Sequence, residues 1–246
     1  VDIPKDVFTN KTSRPFPVAI ERRGYRIPGA PTSESIDEAV RLLKAAERPV
    51  IIAGAGIIWS ESSGELKRLA EKAHIPVINS LLGLGSFPRD HELSLGMMGM
   101  HGEAAATMAV QSADLVLGIG IRFDDRLTGK TAGFAGKAKI VHFDLDPSEV
   151  GKTVSPVHWV IGDLAYGLKM FADAAPEKNH EDWVNQVLSW KQQFPLVVPD
   201  GKFLSRHVLQ ALNDVTEGKA IVSTDVGQHQ MWTSQFYKFK SPYNWL

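Results

Sequence analysis

The sequence predicts an α/β fold: a parallel sheet flanked by helices on both faces. Two observations lead there. Short apolar runs alternate along the chain with segments whose apolar residues recur at helical spacing, the pattern of βαβ units. The apolar runs are followed by glycines or carboxylates, residues that suit the carboxyl edge of a parallel sheet, where ligands bind.

The elements follow in order. Residues 1–31 carry five of the 14 prolines and no helical period, and read as an irregular linker. Thr32 or Ser33 can cap a helix over about 35–46, where Ile36, Ala39, Val40 and Leu43 share a face. A strand at 49–53 leads into a glycine turn, Gly54-Ala55-Gly56. Ser62 or Ser63 opens a helix over about 65–73, and a short strand follows at 76–79. Residues 81–102 are rich in Gly and Met and show no clear period. A helix at 103–111 and a strand at 115–119 come next, then strands at 138–145 and 157–161 and a helix at 164–172. After a surface break at 174–180, an amphipathic helix at 181–193 carries Trp183, Val187 and Trp190. Residues 196–202 form a second linker with Pro and Gly, and a helix at 203–212 precedes a strand at 220–223.

With 246 residues the chain has ample length for a core. Its 27 Lys+Arg against 28 Asp+Glu, a formal charge of −1, argue against a binder of nucleic acid or of an anionic membrane. The absence of Cys excludes disulfides, thiolate catalysis and Cys-ligated metals, and fits a reducing, cytoplasmic location. No apolar run approaches the roughly 20 residues of a membrane span. The chain opens on Val1-Asp2-Ile3-Pro4 and starts a fresh α/β unit near residue 220, so a fragment is expected at both ends. Met231, Trp232, Phe236 and Tyr237 are then expected to be exposed.

The candidate chemistry stands after each strand. Gly54, Ala55 and Gly56 let a phosphate approach backbone N–H groups at a helix start, or simply form a tight turn. Trp59 occupies the place of the third glycine of a G-x-G-x-x-G fingerprint, and Asn79 and Ser80 stand where an NAD site places its ribose-reading acid, which counts against NAD. Met97, Met98 and Met100 are gap-fillers in a core or pack on a flat cofactor ring. His101 is a ligand or a helix-flanking or core histidine. Arg122 and Arg126 meet a pyrophosphate, or pair with Asp124 and Asp125 on a surface loop. Asp144 reads a ribose or adenine edge or, like Asp163, caps a helix. Residues 224–232 suit a phosphate contact, or a helix start capped by Asp225.

Several stretches, in order and spacing, make the chain resemble the large, catalytic subunit of the acetohydroxyacid synthases (acetolactate synthases), thiamine-diphosphate enzymes. They are Val1-Asp2-Ile3-Pro4-Lys5-Asp6, Leu82-Gly83-Leu84-Gly85, Gly99-Met100-His101-Gly102, Arg122-Phe123-Asp124-Asp125-Arg126-Leu127-Thr128-Gly129 and Gly227-Gln228-His229-Gln230-Met231-Trp232. The resemblance implies the end of a pyrimidine-binding domain and linker at 1–31 and a Rossmann-like central FAD-binding domain at 32–175. A helix and linker at 176–202 then lead to the start of a diphosphate-binding domain at 203–246. It implies FAD contacts from Gly54, Ala55, Gly56, Ser80, Leu81, Gly99, Met100, His101, Gly120, Arg122, Asp124, Arg126, Asp144, Glu149, Gly162 and Asp163. Ala55 replaces a usual glycine, and Ser80 a usual threonine. Gly227, Gln228 and His229 are implied at the diphosphate of thiamine diphosphate.

The activity implied is decarboxylation of pyruvate with thiamine diphosphate and condensation of the product with a second 2-oxo acid such as 2-oxobutanoate, in branched-chain amino-acid biosynthesis. FAD is structural rather than redox-active in this family. The activating glutamate and the ligands of Mg2+ are implied upstream of Val1 and beyond Leu246, so this chain is assigned no catalytic residue or metal ligand, and alone is expected to be inactive. A homo-oligomer with a small regulatory subunit is also implied. The alternatives are another thiamine-diphosphate enzyme, such as a pyruvate oxidase or a 2-oxo acid decarboxylase, and a nucleotide-binding module without turnover.

Overall fold

A computed structural model describes residues 4–15, 28–197 and 203–246 of the chain. The expected linkers at 1–31 and 196–202 lie partly outside the described residues. The chain runs α1 (Lys5–Thr9), α2 (Ser33–Ala45), β1 (Pro49–Ala53), α3 (Ala55–Trp59), α4 (Ser63–Ala73), β2 (Val77–Asn79), β3 (Ser94–Met97), α5 (Ala104–Ser112) and β4 (Leu115–Ile119). It continues through α6 (Asp125–Thr128), β5 (Lys139–Asp144), β6 (His158–Ile161), α7 (Leu164–Ala174), α8 (Glu181–Gln193), α9 (Ser205–Thr216) and α10 (Gln228–Phe236).

The six strands form one sheet in the order β3-β2-β1-β4-β5-β6, with every pairing parallel. The predicted α/β class is therefore what the chain adopts. Along β1, Ile51 and Ala53 face a core shared with Ile36 and Leu43 of α2, Leu66 and Leu69 of α4, and Leu168 and Phe171 of α7. Val50 and Ile52 face the opposite core, with Ala106 and Val110 of α5 and Trp183 and Val187 of α8. Both faces of the sheet are thus covered, which is why its strands read as continuous apolar runs. Thr32 caps α2 by accepting from the Ser35 amide at 3.3 Å.

The structure corrects several expectations. The glycine turn at 54–56 is a helix start: Gly54 is the N-cap and Ala55 and Gly56 lie inside α3. The periodless stretch 81–102 contains edge strand β3. Its register with β2 shifts between Val77↔Ser94 and Asn79↔Met97, a bulge accommodated by Gly96 at φ +73°. Within the segment expected to be irregular, Lys5–Thr9 form one turn of helix, α1, with no buried residue. The expected strand at 220–223 is a single parallel bridge between Val222 and Trp245. The tail is less exposed than expected. Tyr237 is 2% exposed and packs with Phe239, Trp245, Leu84 and Met97, while Met231, Trp232 and Phe236 are half-buried. The Tyr237 hydroxyl, 3.0 Å from the Ala220 amide and 2.6 Å from Thr216 Oγ1, ties this cluster to the end of α9.

Candidate functional site

All six strands point the same way, so their carboxyl ends share one edge. The strand order reverses direction between β1 and β4, and a crevice at such a switch point is where open α/β sheets bind ligands. The residues that leave β1 and β4 there are Gly54 and Gly120.

At that point the backbones of the two strand exits touch. Gly54 N–H donates to the Ile119 carbonyl at 2.9 Å and Gly56 N–H to the Gly120 carbonyl at 3.0 Å. A Cβ on Gly54 would overlap the Gly120 oxygen and stand 2.7 Å from the Gly120 carbonyl carbon and 2.8 Å from Ile121 Cα. A Cβ on Gly56 would lie 2.7 Å from Gly120 Cα. Gly120 itself sits at φ +60°, left-handed backbone that suits glycine. At Gly99 the same space is taken by the Arg126 carbonyl, and at Gly162 by Gly29 and Pro31. The missing side chains at these five glycines thus let protein backbones meet.

The carboxylates divide by task. Asp124 accepts from the Arg126 and Leu127 amides at 3.1 and 3.2 Å and caps α6. Asp163 caps α7 by accepting from the Ala165 amide at 2.8 Å. Asp144 caps no helix: its Oδ1 accepts from the Asp146 amide at 2.9 Å, and Asp146 caps the next turn. The Ser148 amide bonded to Asp146 holds that carboxyl below its ordinary range. Glu149 pairs with Lys152 at 2.6 Å. Asp144 Oδ2 lies 3.5 Å from His142 Nε2.

The cations are less engaged. Arg122 and Arg126 are exposed, and neither makes an ion pair among the described residues, so of the two readings the pairing with Asp124 and Asp125 does not form. Arg126 reaches the sulfur of exposed Met100 at 3.8 Å, and its carbonyl accepts from the Met100 amide at 2.9 Å. Met97 and Met98 are core residues, so the methionine run splits between packing and surface. His101 is half-buried and flanks α5; its carbonyl accepts from Gln235 of α10 at 2.8 Å. Ser80 caps the turn at Leu81 by accepting from the Gly83 amide at 3.1 Å.

Gly227 is the N-cap of α10, without a side-chain cap, and Gln228 and His229 are exposed in the first turn. The N-terminal amides of such a turn lack partners within the helix and favour an anion. Asp225 bonds the adjacent Val226 amide and is not the cap. The Thr224 hydroxyl just before it is buried without a hydrogen-bond partner among the described residues. No three His, Asp or Glu converge on a metal-sized site among the described residues.

Two contributors were not singled out from the sequence. Gln235 and Tyr243 bring the C-terminal segment to the edge, Tyr243 through a 3.0 Å bond to the Ile58 carbonyl, and nothing local signals either contact. His142 does carry a signal, a polar residue inside the apolar run of β5.

The donor set suits a dinucleotide phosphate: Arg122 on the loop leaving β4 and Arg126 in α6 make no ion pair among the described residues, and Asp144 ends the neighbouring strand β5, at the switch point. The first turn of α10 suits a second diphosphate. The fold is that of a doubly wound α/β domain. The family described as "Thiamine pyrophosphate enzyme, central domain" matches residues 36–171, and the chain belongs to that family.

Among named proteins, the chain is 42% identical to the chloroplastic acetolactate synthase of Arabidopsis thaliana over 256 residues, which cover 100% of this chain and 38% of that protein. It is 40% identical to acetolactate synthase 2 of Zea mays, covering 100% and 40%. With acetolactate synthase 1 of Nicotiana tabacum the identity is 38%, covering 100% and 38%. The chain thus spans 38–40% of the length of these relatives.

Proposed function

We propose that the chain is the FAD-holding segment of an acetolactate synthase. The activity in this reading rests on likeness along the whole chain to proteins named acetolactate synthase. The flavin rests on one structural observation: past the exit of β4, Arg122 and Arg126 are exposed and make no ion pair among the described residues, and Asp144 ends the neighbouring strand β5. In this reading the two guanidiniums bind the pyrophosphate, and Asp144 Oδ2 accepts from a ribose hydroxyl or the adenine edge. The exposed Met100 covers one side of the ligand. The first-turn amides of Gln228 and His229 receive the diphosphate of thiamine diphosphate, the group that, when bound, supplies the electron sink for decarboxylation of a 2-oxo acid. Pyruvate and 2-oxobutanoate are the proposed substrates, and a cytoplasmic homo-oligomer the proposed setting. Mg2+ belongs to the proposed enzyme, with no ligand assigned in this chain.

Calorimetric titration of the chain with FAD, NAD and ADP tests the flavin part. FAD should bind more tightly than NAD, and Arg122→Ala should weaken FAD roughly tenfold to a hundredfold, the worth of a charge-assisted bond to phosphate. Its melting temperature should barely move, as for other exposed residues. NAD binding more tightly than FAD, or an unchanged FAD affinity in Arg122→Ala, would contradict the reading.

A further inference from the structure

His142 lies in the middle of β5, 1% exposed, in register with Gly118 of β4. Its Nε2 is 2.7 Å from the Ile121 carbonyl. A carbonyl only accepts, so Nε2–H is the donor. Its Nδ1 is buried with no hydrogen-bond partner among the described residues. A buried polar atom left unpaired costs stability, and an apolar residue at 142 would avoid that cost. What the histidine retains is the 2.7 Å bond to the carbonyl of Ile121, the shorter of two contacts of Nε2, since Asp144 Oδ2 lies 3.5 Å from the same nitrogen.

That carbonyl belongs to the residue before Arg122. The residue after it, Phe123, is also held. Phe123 has φ +52°, a conformation a bulky side chain adopts only when its surroundings impose it. Its buried ring meets His142 edge-on at 5.0 Å and Phe134 at 5.9 Å. Gly118 leaves the room: a Cβ there would crowd the Phe123 ring, 2.8 Å from Cε2. So both neighbours of Arg122 are fastened into the interior, one by the His142 hydrogen bond and one by a socket of which His142 is a wall. Arg122, between them, is left exposed at the edge.

We infer that His142 is the positioning residue for Arg122: it fixes the elbow at the exit of β4 so that the guanidinium is already aimed at the flavin pyrophosphate before binding. The inference rests on the flavin reading above. Its physical content is preorganisation, since a loop held in its binding conformation loses less entropy when the ligand arrives.

The test compares the wild-type chain with His142→Phe, which keeps a ring but loses the donor, and His142→Gln, which offers an amide donor in its place. Flavin fluorescence gives the FAD affinity. His142→Phe should bind FAD about tenfold more weakly, and His142→Gln should stay within about threefold of wild type. The double variant His142→Phe/Arg122→Ala should bind within about threefold of Arg122→Ala alone, because both changes remove the same interaction. Losses that multiply in the double variant, an unchanged affinity in His142→Phe, or a His142→Gln as weak as His142→Phe overturns the inference. If His142→Phe does not fold, Gly118→Ala, which displaces the Phe123 ring from the neighbouring strand β4, takes its place with the same expectation.

Amide hydrogen exchange needs no flavin. Faster exchange confined to residues 121–127 in His142→Phe supports the elbow, and unchanged exchange there overturns it. A wild-type chain that binds no FAD instead overturns the flavin reading, so the two failures are distinct.

Discussion

Gly54→Ala is the sharpest perturbation of the switch point. Carbon atoms in contact sit about 3.5–4.0 Å apart. The new methyl would stand 2.7 and 2.8 Å from backbone atoms of Gly120 and Ile121. Those atoms cannot rotate away as a side chain can, so the exits of β1 and β4 must separate by roughly 1 Å, judged against that contact range. The separation stretches the Gly54–Ile119 and Gly56–Gly120 hydrogen bonds, now 2.9 and 3.0 Å. Each is worth about 1 kcal/mol, and overpacking itself costs about 1–3 kcal/mol. Restricting the unfolded chain returns roughly 0.4–1 kcal/mol. The net loss is about 2–4 kcal/mol, a fall in melting temperature of roughly 5–15 °C for a chain of this size.

Gly64→Ala is the matched control. It makes the same chemical change in the first turn of α4, where nothing lies within 4 Å of the new methyl, and should stabilise the chain. Urea unfolding followed by tryptophan fluorescence measures both variants. If Gly54→Ala lies within about 0.5 kcal/mol of Gly64→Ala, the close approach of the two backbones is not what requires glycine.

The Arg89–Glu103 ion pair is nearly enclosed, its side chains 11% and 10% exposed, so Glu103→Ala should cost about 3–5 kcal/mol in urea unfolding by stranding a charge. The double change Arg89→Met/Glu103→Leu should cost much less than the two single changes together. Tyr237→Phe removes the hydroxyl that joins Thr216 and the Ala220 amide and should cost about 1–2 kcal/mol, with faster amide exchange near residues 216–222. Burial pushes the Lys191 ammonium below its ordinary value of 10.5 while it donates to the Ser94 carbonyl. Between the depressed folded value and 10.5 the unfolded chain holds more protons, so stability rises with pH through that window. Wild type should therefore gain on Lys191→Met as pH is raised toward 10.5, and a flat difference in unfolding free energy would contradict this.

By itself the sequence determined whatever depends on neighbours along the chain. The bounds of β1, β4 and α8 are those its patterns predict, because an apolar run or a helical stripe is a local property that burial on both sheet faces reinforces. The Asp163 cap was legible for the same reason, since a cap bonds an amide two residues away. Tertiary structure alone decided what depends on distant partners. β3 exists because β2 offers it an edge and Gly96 absorbs the bulge, and neither condition is visible in the run Ser94-Leu95-Gly96-Met97. The glycines at 54 and 120 could be placed at strand ends from sequence, but their contact with each other follows from the strand order, which only the folded sheet specifies. Tyr237 reads as exposed until Leu84 and Met97, more than a hundred residues earlier, pack against it. His142 shows the division within one residue. Its polarity inside an apolar run is a signal the sequence carries, but its purpose depends on the Ile121 carbonyl and the Phe123 ring, which the parallel pairing of β4 with β5 brings to it.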